Sequence, residues 1–368
     1  MHRTASPPRP QARVTQPARR RWRQHTISET DLDLKLLLKR GALLAAANWQ
    51  TVAIQFVAET TFQALLAVPL IGAAILVAVL MGADVAELLQ GGLREIFTTI
   101  AHALWSEPVA LVAFMAAFVI VLLGGSVLIF LVKGGTMTVL VAANDDAGPI
   151  EREPLTLDTF HRASRFTLQR FSSGCGRLFR RYLTLGLLLM LVYGVSTATY
   201  FAFLMSLYRS AGDRFFLIGW TFIAALSAGL LLAWITIVNL FYLLLQIAMA
   251  YDASGLADAS RAVVRFVRAE FRELAGVFLV VLGLVIAATL ASTLAWSGVG
   301  LIAFVPLAGL AVFPLQIAAL VLRGLVFEYL GLTALGAYLT LYKGHVARRA
   351  AAFGGSRVPS SPPLGHPA

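Results

Sequence analysis

Six apolar stretches decide what this chain can fold into: residues 49–82, 108–132, 182–207, 215–250, 275–296 and 314–342. A helix of about 20 apolar residues crosses the roughly 30 Å of bilayer hydrocarbon, and backbone groups in lipid must be satisfied within the segment itself. The sequence therefore predicts an all-α polytopic membrane bundle of about six transmembrane helices. Residue usage agrees. The chain is 58% hydrophobic and only 13% charged, whereas a soluble domain carries about 25% charged residues.

Some stretches exceed the hydrocarbon. As one helix, residues 49–82 would be about 51 Å long, so this segment protrudes, tilts, or breaks near Pro69. Its cleanest span is 61–81. Residues 299–342 admit two readings. A hairpin at Arg323 and Gly324 would make two spans. A single helix from Pro314 would leave residues 299–313 as a partly inserted segment or short helix. Lys343, Arg348, Arg349 and Arg357 favour the single helix, which returns the tail to the basic side.

Net charge is +11, and its distribution sets topology. Residues 1–48 hold ten Lys/Arg against three acids, 133–181 hold eight against five, 251–274 hold four arginines, and the tail holds four Lys/Arg. The opposite side has only Arg94, Arg209 and Arg214. Cytoplasmic loops are the basic ones, so both termini are expected in the cytoplasm of a cell inner membrane. Residues 1–28 lack the apolar core of a signal peptide and read as a disordered basic tail beside anionic headgroups rather than a nucleic-acid arm. Residues 29–345 form the membrane domain, and 346–368 a second disordered tail. The heavy use of Ala, Leu, Gly and Arg reads as bacterial.

Between the spans lie amphipathic segments. Residues 31–47 put Lys35, Lys39 and Arg40 on a polar side, and Asn48 with Trp49 suits a headgroup-level anchor. Residues 83–107 predict a short surface helix. Residues 134–144 continue the second span, 145–154 turn, and Thr156 caps a helix to about Phe171. In residues 255–274, Arg261, Arg265, Arg268 and Arg272 fall on one helical face. That face is the candidate contact with anionic phospholipid. Offset by 100, Asp158, Arg165, Phe166 and Phe171 meet Asp258, Arg265, Phe266 and Phe271, and Asp33 with Arg40 repeats the Asp–Arg spacing. The reading is a threefold unit of surface helix, span out and span back.

Gly255, Asp258, Ala259, Arg265 and Phe271, set between two spans, resemble a motif of the membrane domain of glycerophosphodiester phosphodiesterases and related bacterial six-span proteins. The resemblance implies a six-helix membrane fold. It implies no activity, because the chain has no stretch for the phosphodiesterase catalytic domain. Val263 and Ala269 depart from the pattern, where a small polar residue and a glycine would be expected.

No metalloprotease, paired-cysteine, phosphate-loop or dinucleotide motif occurs, so neither enzyme activity nor a cofactor is expected. The six histidines are scattered, and Cys175 stands alone. Ionisable residues inside spans are costly and therefore informative. Glu59, Arg323 and Glu328 are such residues. Arg323 and Glu328 lie roughly 140° apart around a helix, so each is free to face another helix, and Glu59 is expected to meet one of them. Asn239 and Gln246 share a face of the fourth span as a polar path or as interhelical glue. Ala225 and Gly229 suit close packing. These five polar residues form the candidate intramembrane site. The leading functional expectation is a structural membrane protein contacting lipid or protein partners, without nucleic acid. The alternative is a transporter or lipid-handling protein with a polar site near the bilayer midplane.

Overall fold

The computed structural model describes residues 34–81, 108–154, 156–210, 216–252, 255–303 and 308–354. The expected surface helix at 83–107 and both terminal tails beyond those limits lie outside the described residues. Among the described residues every element is a helix: α1 Leu34–Ala47, α2 Trp49–Met81, α3 Pro108–Asp146, α4 Leu157–Ala163, α5 Leu168–Ser210, α6 Phe216–Tyr251, α7 Leu256–Ala269, α8 Phe271–Ala303 and α9 Ala308–Gly354. Six of them are long and apolar enough to cross a membrane, so the chain is a multi-pass integral membrane protein. α9 runs unbroken through Arg323 and Gly324 with Pro314 inside it, which selects the single-helix reading. Residues 304–307, in the middle of the doubtful segment, are not described.

The element order repeats three times: a short helix, a break, a long helix out and a long helix back. The breaks fall at Asn48, at residues 164–167 and at Glu270. Each short helix rests on the returning helix of the round before it. α4 packs on α3, α7 on α6, and α1 on α9, which closes the ring. The threefold unit is thus visible in the packing as well as in the order of elements.

Most buried and most exposed apolar residues occupy different parts of the helices, with exceptions such as Trp49, Leu168 and Phe271. The buried core occupies 37–58, 130–150, 163–185, 242–277 and 332–342. Large exposed hydrophobics crowd 57–75, 109–127, 187–205, 222–241, 279–296 and 315–326. Exposed apolar area of that extent faces lipid rather than water. One end of the molecule is therefore packed like a soluble core, and the other is a ring of lipid-facing helices.

The packed end is closed by small residues and ion pairs. Gly41 on α1 crosses Gly336 on α9 so closely that a Cβ at Gly41 would overlap the Thr333 carbonyl oxygen. Arg40, expected on the polar side of α1, is instead 9% exposed. Its guanidinium reaches Asn144 Oδ1 at 2.8 Å, Gly148 O at 2.6 Å and Glu151 Oε2 at 2.6 Å. Five N–H groups in a rigid fork suit such a many-sided clamp. Lys343 pairs with Asp145 at 2.6 Å, and Arg348 with Glu270 at 2.5 Å. These bonds bring α1, the 145–151 turn, the α7–α8 break and the last turns of α9 to one end of the bundle.

Three local expectations change. Thr156 does cap α4, accepting from the Thr159 N–H at 3.3 Å, but the helix stops at Ala163 rather than near Phe171. Asn48 ends it. This side chain is fully buried, donates to Ala163 O at 3.0 Å and accepts from the Arg165 N–H at 2.9 Å. A residue expected as a headgroup anchor is thus an internal bracket, while Trp49 beside it is exposed. Finally, Gly229 has nothing within 4 Å of its Cβ position, so it forms no close helix crossing.

Candidate functional site

Three long helices bring ionisable groups together at the border between the packed and lipid-facing ends. Glu59 lies on α2, Lys133 on α3 and Glu328 on α9. The Glu59 and Glu328 carboxyls come close to each other, and Lys133 is near enough to both to act on them electrostatically. All three side chains are partly buried. The Lys133 ammonium also sits over the Tyr242 ring of α6, 5.5 Å from its centroid, a cation–π distance.

Packing explains why these groups meet. Ala58 and Val132, the residues beside Glu59 and Lys133, belong to one buried cluster with Val139, Phe171 and Cys175. On the far side of α2 the Phe56 ring occupies the space a side chain would take at Gly324, which lets α2 and α9 approach. The level of the site follows from α3 against α5. Gly134, next to Lys133, abuts Gly174 O and the Leu178 Cβ, and Arg177 beside Leu178 is exposed. Lys133 therefore stands level with the first arginines expected to mark the membrane edge.

Two shallow, mainly apolar grooves lie along the same helices, neither of them lined by Glu59 or Glu328. One runs along α2 past Phe56, Val57, Thr60 and Leu65. The other lies between Trp49 and Ala53 on one wall and Leu325, Val326 and Tyr329 on the other.

The remaining residues of the expected polar site lie elsewhere. Arg323 is exposed and stacks on Phe327 of its own helix, 5.7 Å from the ring centroid. Asn239 is exposed and accepts from the Tyr193 hydroxyl at 2.5 Å. Gln246 is 3% exposed, and its backbone carbonyl accepts from Tyr182 at 2.9 Å. Charge counting places Lys133 with the basic stretch 133–181, whereas it stands within α3. The signal that finds it is its isolation, since no other ionisable residue occurs between 109 and 144.

The basic stretch expected as one helix is divided between α7 and the start of α8. Ala259, Val263 and Phe266 are buried, while Arg261, Arg265 and Arg268 are exposed; Arg272, expected on the same helix, is also exposed but lies beyond the Glu270 break in the first turn of α8. Arg261 also holds Asp258 at 2.8 Å. At the end of this helix, Glu270 accepts from Arg348 and lies 3.2 Å from the His345 ring nitrogen. Burial works to raise the Glu270 pKa, but the hydrogen bonds and charges of Arg348 and His345 outweigh it and hold the carboxyl below its usual range.

Comparison with family models, with curated proteins and with solved structures finds no match to this chain.

Proposed function

We propose that this is a non-catalytic membrane protein of the bacterial cytoplasmic membrane, with both termini in the cytoplasm, that engages anionic phospholipid headgroups through α7. The division of α7 into a buried apolar face and a fully exposed arginine face carries this reading. With its apolar face packed against the protein, Phe266 against Tyr342, α7 leaves its arginines for the headgroup region, where charge attraction is worth about 1 kcal/mol per arginine near an anionic surface. The excess of Lys/Arg on the same end of the molecule supports the cytoplasmic orientation. The resemblance of residues 255–271 to the phosphodiesterase membrane domain fits the same role, since it implies a membrane fold and no activity.

The test reconstitutes the full chain in vesicles of phosphatidylcholine with spin-labelled phosphatidylglycerol or spin-labelled phosphatidylcholine. The wild type should immobilise the anionic probe in preference to the zwitterionic one, and salt should weaken that preference. Replacing Arg261, Arg265, Arg268 and Arg272 together with Gln should remove most of it. An unchanged preference in a folded quadruple variant would overturn the reading.

A further inference from the structure

We propose that, within the bilayer, the long helices stand as three separate hairpins, α2 with α3, α5 with α6 and α8 with α9, and that the clefts between them hold phospholipid acyl chains. These clefts are independent of headgroup contact at α7.

Past the packed end, each helix touches its hairpin partner. The Phe62 ring of α2 fills the space beside Gly125 of α3. Trp234 Nε1 of α6 donates to Ser196 Oγ of α5 at 3.0 Å, one helical stretch beyond the bond from Tyr193 to Asn239. α8 lies along α9. Contacts between different hairpins sit at the border with the packed end: Phe56 at Gly324, Phe130 at Gly186, and Lys133 over Tyr242.

Exposure shows what lies on the other faces. Residues two apart on a helix point about 160° apart. Leu230 and Leu232 on α6, Leu284 and Ile286 on α8, and Leu320 and Leu322 on α9 are such pairs, and all six side chains are between 45% and 73% exposed. On α6 the less exposed Ala224, Ser227, Leu231 and Ile235 follow steps of three and four and form the seam with α5. Leu230 and Leu232 flank that seam on opposite sides, so one is turned to the outside of the ring and the other to its inside. In a bundle filled by protein, one member of each pair would be buried. Glycines tell the same story. In membrane bundles they mark close helix crossings, yet Gly194, Gly229 and Gly283 have nothing within 4 Å of a Cβ position.

The flanks are apolar, and a site without polar partners does not hold water. Lipid tails are as apolar as leucine, so burial of these flanks supplies no force to draw the hairpins together. The clefts continue the lipid-facing exterior of the same helices, and acyl chains enter them sideways from the bilayer. The packed end alone then holds the three hairpins in place.

The test places the full-length protein in phosphatidylcholine nanodiscs, with or without bromine atoms on the acyl chains. Leu230→Cys and Leu232→Cys each carry a bimane fluorophore, and the native Cys175 is buried and stays in place. Chain bromines should quench both flanks to a similar extent, should quench Ile235→Cys on the seam less, and aqueous iodide should quench neither flank. The pairs on α8 and α9 repeat the test should an α6 variant fail to fold. A flank that escapes the bromines in each pair would overturn the proposal, because protein, from this chain or a second copy, then covers it. Quenching of a flank by iodide would overturn it too, because water then fills the cleft. Phosphatidylcholine carries no net charge, so failure here leaves the α7 reading standing.

Discussion

Arg40 and Asn144, 104 residues apart, are joined twice: Nε donates to the Asn144 side-chain oxygen at 2.8 Å, and Nη2 to its backbone oxygen at 2.9 Å. The Thr340 hydroxyl reaches the same side-chain oxygen at 3.2 Å. A single asparagine at the end of α3 thus gathers the first and last described helices. The guanidinium is about nine-tenths buried, and Glu151 answers its charge.

Removing one partner of a buried, hydrogen-bonded ion pair costs about 3–5 kcal/mol, because the other charge is left uncompensated. Arg40→Met should therefore lower the melting temperature in detergent sharply. Arg40→Lys should not restore it, since an ammonium cannot span Asn144, Gly148 and Glu151 at once. A melting curve matching wild type would refute the clamp.

Asn48→Ala leaves the Arg165 N–H and the Ala163 carbonyl without their partner. Each buried group left unsatisfied costs about 1–3 kcal/mol. Asn48→Asp keeps the acceptor for Arg165 but sets a buried carboxylate oxygen against the Ala163 and Leu44 carbonyls, so it should not restore the stability lost in Asn48→Ala. Limited proteolysis between residues 156 and 168 gives a second readout, because the α4 end is what the bracket holds.

The α1–α9 crossing depends on the absence of a side chain at Gly41. Gly41→Ala drives a Cβ into the Thr333 backbone, and overpacking of that kind costs about 1–3 kcal/mol. Gly276→Ala is the control, because the nearest atoms are the flexible Leu34 methyls at 3.7 Å. Thermal stability should drop in the first variant and stay level in the second.

Glu270 links α7 to α9 through a carboxyl held below its usual range by Arg348 and His345, against the pull of burial. A depressed folded-state pKa means that the carboxylate stabilises the fold above the unfolded pKa. That contribution is lost as pH falls through the depressed folded value. Acid should therefore loosen this contact, and Glu270→Gln should flatten that part of the pH–stability curve. Equal acid sensitivity in Glu270→Gln would assign the effect to other groups.

Particular residues show how far the sequence could be read. The arginine face of α7 is legible from spacing alone, because a helix repeats every 3.6 residues wherever it lies. Glu59 and Glu328 stand out as isolated acids in apolar runs, and their meeting is among the expected pairings. Lys133 carries the same signal. By charge it counts with the basic stretch 133–181, which hides its place within the span, and Gly134 and Gly135 beside it let α3 pack against α5. Arg40 and Asn48 carry no signal of their own. A basic residue and an asparagine beside a membrane helix are ordinary at the surface, and only distant partners make them internal.

What the sequence determined by itself is local or additive: helices, because apolar runs in lipid must satisfy their own backbone; six spans, because length meets bilayer thickness; a basic end, because charge can be counted. The tertiary structure decided which of those helices touch. It closed α1 onto α9, placed a carboxyl pair where α2 crosses α9, and set Lys133 against both. Such meetings depend on close packing among residues far apart in the chain, where one glycine admits a neighbouring helix and one side chain excludes it. No periodicity along the chain records that.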